Sequence, residues 1–286
     1  MTQVTDDLPG KNNIDEEAIK AQLIQQHEQK EVVKTNFPTE VIDLPSKGLL
    51  YPEGHPLANG TIEMKYMTAK EEDILTSQNL IKQGVVLDKL FQSMIVTPMN
   101  YDDLLIGDKN AIMVAARVLG YGKDYPIEVG CKSCSEKNKL NIDLTQVTDK
   151  QVTSDAKPNA NGEFEFTLPS SQRVITFSLM TLGLDKAIKS ELNGLKQQKS
   201  RTGVDPELST RLKHIIKSID GNTESAAIRH FVDNEFLAMD SRSFRAFIQD
   251  IQPDVDLSTN FTCSECDEFN DKITIPITIQ FFWPGV

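Results

Sequence analysis

Two stretches of the sequence decide the fold: Gly130-Cys-Lys-Ser-Cys-Ser135 and Thr262-Cys-Ser-Glu-Cys-Asp267. In each stretch two residues separate a pair of cysteines, and predicted strands lie on both sides. Such a turn aims both sulfurs, with nearby backbone N–H groups, at one cation. Two such turns supply the four thiolates of a tetrahedral zinc site, with Zn–S distances of about 2.3 Å. We therefore expect one structural zinc ion, with the ligands Cys131, Cys134, Cys263 and Cys266.

The two cysteine pairs are unusually far apart in the chain. There are 128 residues between Cys134 and Cys263, whereas the paired turns of ordinary zinc ribbons lie about 15–20 residues apart. A shared ion would close a very large loop and would attach the C-terminal strands to the middle of the chain. Zinc binding would then stabilise the fold through loop closure as well as through the metal–ligand bonds.

Three other roles for the cysteines stay open at the level of the sequence. They could be buried free thiols, although the neighbours Lys132, Ser133, Ser264 and Glu265 are polar. They could form a dithiol redox site, although redox motifs place the first cysteine at a helix N-terminus and strands follow both pairs here. They could also bind an iron–sulfur cluster. Lys132 could offset the charge of a zinc centre or could be a solvated surface residue.

The composition describes an acidic chain with an ordinary content of apolar residues. It has 286 residues, a formal net charge of −12, a pI of about 4.9 and 39% hydrophobic residues. Uniform acidity argues against binding to bare nucleic acid, because phosphates are repelled. The polar start of the sequence predicts no signal peptide, and the apolar stretches are shorter than a membrane span. We expect a soluble protein of a reducing cytoplasm, where disulfides are rare.

We interpret the chain as α+β, with helical segments packed on small antiparallel β units and a split zinc-ribbon-like knuckle. The predicted segments are a polar arm (residues 1–36), a β-hairpin with helices (37–125), a β region with the first knuckle (126–180), a helical region (181–252), and the second knuckle with the C-terminal strand (253–286). The arm contains a predicted helix over residues 14–34 with a thin apolar stripe. This helix could lie on the surface or could dock against a partner.

Cap and turn residues predict where the elements begin and end. A capping box of Thr68 and Glu71 starts a helix that Gly84 ends. Another helix is predicted to begin at an Asp108 cap and to end at Gly120. The other predicted helices cover residues 87–94, 206–221, 224–232 and 241–251, with one more from residue 181, and the predicted strands cover residues 61–67, 125–130, 139–144, 163–168, 173–179 and 272–283. The chain thus contains the same predicted order twice: helices, a strand, a cysteine turn and a second strand.

The remaining candidate residues indicate no catalytic site. The four histidines form no metal-binding pair, and the sequence contains no HExxH, GxSxG or P-loop motif. His55 is interpreted as a turn residue, and the chain is interpreted as a non-enzyme. Three aromatic residues, Phe281-Phe-Trp283, lie close to the C-terminal end of the sequence. They could complete a core strand or could be an exposed anchor for a neighbouring subunit.

Several short motifs occur in an order that resembles a known protein family. They are Leu44-Pro-Ser-Lys-Gly-Leu-Leu-Tyr-Pro52, Met67-Thr-Ala-Lys-Glu-Glu-Asp-Ile-Leu75, Val86-Leu-Asp-Lys-Leu90, the Phe-x-Leu-Pro-Ser-Ser segment from Phe166 to Ser171, the two cysteine knuckles and the Phe-Phe-Trp-Pro ending. Over roughly residues 40–286 this order resembles the baseplate hub proteins of T-even-type contractile-tail bacteriophages. The resemblance implies a non-enzymatic tail protein that acts in building the baseplate hub.

The resemblance leads to one main hypothesis and three alternatives. The chain is expected to be a hub subunit or hub assembly factor, with tail and hub proteins as partners, in the virion tail baseplate or the infected host cytoplasm. It could instead be a chaperone that holds the tape-measure or hub protein and is absent from the mature virion. A zinc-ribbon adaptor for nucleic acid would need a basic patch, which the sequence does not show. A thiol–disulfide enzyme would need a thiol of low pKa.

Overall fold

The computed structural model describes residues 37–152, 156–198, 206–277 and 281–283. The predicted arm and its helix over residues 14–34 lie outside these ranges. The described residues from Pro38 onward form one compact unit. They contain eight α-helices and several small antiparallel sheets, which confirms the predicted α+β class. The division of the chain into five segments stays a prediction.

The first half (residues 39–143) begins and ends with a hairpin, and its helices lie between them. Its elements are β1 (Thr39–Asp43), β2 (Thr61–Lys65), α1 (Ala69–Thr76), α2 (Gln78–Gln83), α3 (Val86–Met94), α4 (Ile106–Tyr121), β3 (Asp124–Gly130) and β4 (Lys137–Asp143). The strands pair antiparallel as β1–β2 and β3–β4. Thr68 and Glu71 form the predicted capping box, and Gly84 ends α2 with a φ of 69°. The predicted single helix is divided at Ser77 into α1 and α2.

A short strand, β5 (Thr148–Asp149), lies in the connection to the second half (residues 163–274). The second half contains β6 (Glu163–Thr167), β7 (Val174–Ser178), α5 (Leu182–Gln198), α6 (Glu207–Ile215), β8 (Ile216–Ile219), α7 (Ser225–Asn234), α8 (Ala238–Ile251), β9 (Val255–Asp256), β10 (Ser258–Thr262) and β11 (Phe269–Thr274). The prediction of one helix reaching Gly221 is wrong. The chain leaves the helix at Ile215 because the next residues pair with the free edge of β7 as strand β8.

The two halves share a similar order of hairpins and helices. Ile42 faces Ile62 across β1 and β2, and Phe166 faces Ile175 across β6 and β7. The helices α3 and α6 correspond to each other, because each is followed at once by residues that pair with the second strand of the hairpin. In the second half these residues form β8, and in the first half Ile95 forms a single antiparallel bridge to β2.

The repeat continues without gaps from the last helix of each half into the cysteine turn. The equivalent residues are Leu105 and Leu237, Asp108 and Asp240, Cys131 and Cys263, Cys134 and Cys266, and Asn138 and Asn270. The helices α4 and α8 occupy the same place in this register, and so do the hairpins β3–β4 and β10–β11. Each half therefore begins with a β-hairpin and ends with a helix and a cysteine hairpin, while helix α7 of the second half has no α-helical counterpart among the described residues of the first.

Asp108 is not the helix cap that the sequence predicted. Helix α4 already begins at Ile106, and it passes through the predicted end at Gly120. The buried Asp108 carboxylate accepts hydrogen bonds from the Ser46 N–H at 3.0 Å and from the Tyr51 hydroxyl at 2.6 Å. The cap interpretation failed because these partners are distant in sequence and no local pattern reports them.

Asp240 has the equivalent role in the second half. Its buried carboxylate accepts hydrogen bonds from the N–H groups of Ser170 at 2.6 Å and Ser171 at 3.0 Å. Burial opposes ionisation, yet these hydrogen bonds lower the pKa of the Asp240 carboxyl below its ordinary value. In each half, the aspartate at the third position of the last helix thus binds a Leu-Pro-Ser turn of the first hairpin.

The two halves also make direct contacts away from the cysteines. Gly107 lies so close to the chain after α8 that a Cβ at this position would be 1.8 Å from the Pro253 carbonyl oxygen. Only glycine permits that approach. About one helical turn further along α4, Asn110 Nδ2 donates a hydrogen bond to Asp254 Oδ1 at 2.8 Å. The short strands β5 and β9 also pair with each other. The start of α4 is therefore fixed against the end of α8.

Two of the three aromatic residues near the C-terminus lie in the core, as the interpretation of a core strand predicted, and Trp283 is half-buried against them. Phe281 and Phe282 are buried, but residues 281–283 do not form a strand, and β11 ends at Thr274. Tyr125 of the first half packs edge-on against Phe281 with a ring-centre distance of 5.0 Å, and its hydroxyl donates to the Pro276 carbonyl at 2.7 Å. The residues that follow β11 thus complete the core beside the first half.

Asp240→Asn is expected to destabilise the fold. The amide group replaces one acceptor oxygen with a donor, so one of the two partly buried hydrogen bonds from the Ser170 and Ser171 N–H groups is lost. The expected loss in the free energy of unfolding is about 1–3 kcal/mol, measured by urea denaturation. Asp250→Asn, at an exposed position of the same helix, is the control and should change stability by less than about 0.5 kcal/mol. Equal stability of the two variants would contradict the role of Asp240.

Candidate metal centre

The first cysteine turn is closed by backbone hydrogen bonds between the ends of β3 and β4. The Cys131 N–H donates to the Glu136 carbonyl at 2.9 Å, and the Ser135 N–H donates to the Cys131 carbonyl at 3.0 Å. Ser135 has a φ of 63°, so the chain reverses directly after Cys134. The Ser133 N–H also donates to the Cys131 sulfur at 3.4 Å. The turn therefore directs two sulfurs and a backbone donor to one side.

The second turn, between β10 and β11, has the same geometry. The Cys263 N–H donates to the Glu268 carbonyl at 2.9 Å, and the Asp267 N–H donates to the Cys263 carbonyl at 3.1 Å. Asp267 has a φ of 55°, in the same position of the turn as Ser135. Equal spacing of the cysteines has thus produced equal turns in the two halves.

The four cysteine sulfurs converge. They all lie within 4.8 Å of one another, and the Cys131–Cys266 and Cys134–Cys263 sulfur pairs are each 3.7 Å apart. In a regular tetrahedron with metal–sulfur bonds of about 2.3 Å, neighbouring sulfurs are about 3.8 Å apart. The sulfurs are therefore close enough to hold one metal ion, and each hairpin contributes two of the four.

Asn138 connects the first hairpin to the second turn. Its Nδ2 donates to the Glu136 carbonyl at 3.0 Å and to the Cys263 sulfur at 3.5 Å. Its Oδ1 accepts a hydrogen bond from the Ser264 N–H at 3.0 Å. The buried side chain thus orients a sulfur and a backbone donor that belong to the other half of the molecule.

Asn270 makes the reciprocal contacts from the second hairpin. Its Nδ2 donates to the Glu268 carbonyl at 3.0 Å and to the Cys131 sulfur at 3.5 Å, and its Oδ1 accepts from the Lys132 N–H at 2.8 Å. Neither asparagine was predicted from the sequence. The available signal was the spacing Cys-x-x-Cys-x-x-x-Asn, which occurs at both turns and places each asparagine four residues after the second cysteine.

The first and second cysteines of each turn have different surroundings. Cys131 and Cys263 are buried, whereas Cys134 and Cys266 are exposed. Hydrogen bonds from the Cys134 backbone and the Asn270 side chain lower the pKa of Cys131 to about 6. Hydrogen bonds from the backbone N–H groups of residues 265 and 266 also lower the pKa of Cys263. Four thiolates this close repel one another, so their joint ionisation requires a cation among them.

Lys132 and His55 both have structural contacts. The Lys132 ammonium donates to the Asp271 carbonyl at 2.6 Å, so its side chain connects the first turn to β11. His55 lies in a turn, where its Nδ1 accepts a hydrogen bond from the Leu57 N–H at 3.2 Å. The His55 ring also stacks on Tyr51 at a centre distance of 4.8 Å. These contacts agree with the interpretation of His55 as a turn residue.

Comparison with protein families relates this architecture to known proteins. The T4 bacteriophage base plate protein family matches residues 38–283, which is most of the chain. The chain belongs to this family. The family resemblance inferred from the sequence motifs is thereby confirmed. No curated protein and no solved structure shows significant similarity to this base plate protein.

Membership in the base plate protein family indicates a structural role in the bacteriophage tail and a location in the virion tail. The same family relationship agrees with the interpretation as a non-enzyme. Among the residues that the structure describes, no helix is both long enough and apolar enough to cross a lipid bilayer. The most distinctive chemical feature of this base plate protein is therefore the cluster of four sulfurs between its two halves.

Asn138→Ala and Asn270→Ala are each expected to weaken metal binding. Each change removes a donor to a sulfur and the acceptor of a backbone N–H in the opposite turn. Loss of such supporting contacts typically lowers metal affinity about 10–100-fold, which chelator competition would measure. Asn141→Ala is the control, because the side chain of this exposed residue of β4 donates to the Asp124 side chain at 3.3 Å, away from the cysteines. An unchanged affinity in both cysteine-contacting variants would refute the reciprocal support.

Proposed function

We propose that this base plate protein is a non-enzymatic structural subunit of the baseplate hub, in which one zinc ion locks the two halves together. The family match over residues 38–283 supports the tail role and carries the proposal. The proposed zinc ligands are Cys131, Cys134, Cys263 and Cys266. The protein would act by presenting rigid surfaces to neighbouring subunits rather than by catalysing a reaction.

The geometry of the sulfur cluster supports zinc over the alternative roles of the cysteines. The 3.7 Å sulfur pairs fit the edges of a tetrahedron around a single ion. An iron–sulfur cluster distributes its cysteines over several irons and therefore spaces their sulfurs more widely. Strands follow both cysteine pairs, whereas redox motifs of the thioredoxin type place the first cysteine at a helix N-terminus. Zinc is redox-inert, which suits a purely structural centre.

The expected partners are other proteins of the tail and the baseplate hub, including the tape-measure protein. The net charge of −12 argues against bare nucleic acid as a partner and favours protein surfaces. The alternative is an assembly chaperone that leaves before the virion is complete. The family relationship and the proposed zinc centre are equally compatible with this role. The two roles differ in where the protein is found at the end of assembly.

The purified protein is expected to contain one zinc ion per chain. Elemental analysis combined with native mass measurement would determine this ratio. Cys263→Ser should abolish zinc binding and lower the melting temperature, because a neutral hydroxyl replaces a buried thiolate ligand. Ser133→Ala, in the first turn and without a sulfur, should retain full zinc content. A fully stable, zinc-free wild-type protein would exclude the proposed metal centre.

The hub role predicts that the protein is present in mature virions at a fixed ratio to other tail proteins. Quantitative peptide mass analysis of purified particles would measure this ratio. Presence in tail-assembly intermediates and absence from finished particles would instead establish the chaperone role. Strong, salt-sensitive binding to nucleic acid in a filter assay would favour the adaptor role, because phosphate contacts weaken as the salt concentration rises.

A further inference from the structure

One contact between the halves joins two short segments that recur in the repeat. We name residues 104–106 the forward segment of the first half and residues 180–182 the rear segment of the second half. Backbone hydrogen bonds of 2.9 and 3.1 Å hold them in an antiparallel bridge centred on Leu105 and Thr181. The first half therefore contacts the second through its forward segment.

Side chains extend this contact beyond the bridge. Lys186 bonds the Asp102 carboxylate, and its ammonium lies 5.7 Å from the centre of the Tyr101 ring. Gly183 packs closely against the same region, since a Cβ there would be 3.1 Å from the Asp102 Cβ and carbonyl oxygen. The forward and rear segments thus form the centre of a specific interface within the chain.

The repeat supplies each half with both kinds of segment. The forward segment of the second half is residues 236–238, and the rear segment of the first half is residues 67–69. The two rear segments begin with the same Met-Thr sequence, and the two forward segments share a central leucine. Among the residues that the structure describes, no backbone hydrogen bond or bridge joins these two segments to each other.

The forward segment of the second half is open to solvent where its counterpart is covered. Leu237 is 50% exposed, whereas the equivalent Leu105 is 7% exposed. Met239 is 67% exposed, whereas the equivalent Gly107 is buried. An apolar cavity of about 410 Å³ adjoins this segment and includes Phe236 in its lining. The second half therefore presents an apolar surface at the position where the first half forms an interface.

The rear segment of the first half is likewise more exposed to solvent than its counterpart in the second half. Tyr66 is 39% exposed, whereas the equivalent Leu179 is 5% exposed. Ala69 is exposed, whereas the equivalent Leu182 is buried. The N–H of Ala69 belongs to the first turn of α1, where no intrahelical acceptor exists. A backbone donor and apolar side chains are thus available for the same kind of bridge.

We propose that copies of this protein associate head to tail, with the rear segment of one copy bridging the open forward segment of the next. The occupant is a second copy, because the chain itself shows which segment binds a forward segment. The new bridge would centre on Thr68 of one copy and Leu237 of the other, in place of Thr181 and Leu105. The Tyr66 ring would lie over the apolar cavity beside the forward segment. Contacts of this kind build rings or filaments rather than two-fold dimers.

The proposal is tested by two variants that each block one surface. Leu237→Asp places a charge in the forward segment, and it should preserve α8 because aspartate is a favoured residue at this N-cap position. Ala69→Glu charges the rear segment at the first position of α1, where an acidic residue is favourable. Wild-type protein should form concentration-dependent oligomers in sedimentation velocity, and each variant alone should associate about tenfold or more weakly.

Mixing the two variants separates head-to-tail association from other arrangements. Each variant keeps one intact surface, so an equimolar mixture should form a one-to-one heterodimer and nothing larger. Ile81→Asp, at an exposed apolar position of α2 outside both segments, is the control and should behave as wild type. A wild-type protein that stays monomeric at all concentrations overturns the proposal. Loss of association in Leu237→Asp but not in Ala69→Glu also overturns it. Zinc content, measured on the same samples, reports separately on the metal centre.

Discussion

The convergence of four sulfurs from two distant hairpins is the constraint on which the rest of the structure depends. Cys134 and Cys263 are 129 positions apart. The loop that a shared ion would close is about three doublings longer than the loop of an ordinary zinc ribbon. Each doubling of loop length adds about 0.6 kcal/mol to the entropic cost of closing the loop. Structural zinc in small peptides contributes about 10–16 kcal/mol, so the proposed ion would outweigh the additional cost of roughly 2 kcal/mol. An ion at this position can therefore determine how the two halves are joined, and its effect would exceed that of most single packing contacts.

The asparagine contacts show that the two cysteine hairpins support each other reciprocally. Asn138 and Asn270 each reach from one hairpin to the first cysteine of the other, and each also fixes the N–H that follows that cysteine. Each hairpin therefore provides two sulfurs and the support for a sulfur it does not carry. Neither hairpin alone has a complete set of ligands or a complete set of supporting hydrogen bonds. The duplicated unit thus explains why the cysteine pairs are both identical in spacing and remote in sequence.

Local signals in the sequence predicted the local structure well. The capping box of Thr68 and Glu71 and the spacing of the cysteines are short-range patterns, and the structure has both in the predicted form. Errors arose where a distant partner decides the outcome. Asp108 looked like a cap but binds residues about 60 positions away, and strand β8 exists because β7 offers it an edge. The asparagine contacts could have been anticipated from their repeated spacing, but their crossing between hairpins follows only from the meeting of the two halves.

The similar halves of the chain make two kinds of contact with each other: a reciprocal one at the cysteine hairpins and a one-sided one at the bridge between Leu105 and Thr181. The cysteine hairpins form a reciprocal contact, so one pair of hairpins satisfies both partners and leaves nothing unpaired. The bridge between Leu105 and Thr181 is not reciprocal, because no second bridge joins the equivalent residues Leu237 and Thr68 among the described residues. One segment of each kind therefore stays without a backbone bridge, and each of the two contains an exposed residue, Leu237 or Ala69. A chain with a closed centre and open ends has the geometry that a repeating assembly requires: the centre fixes the subunit, and the ends remain available for the next one.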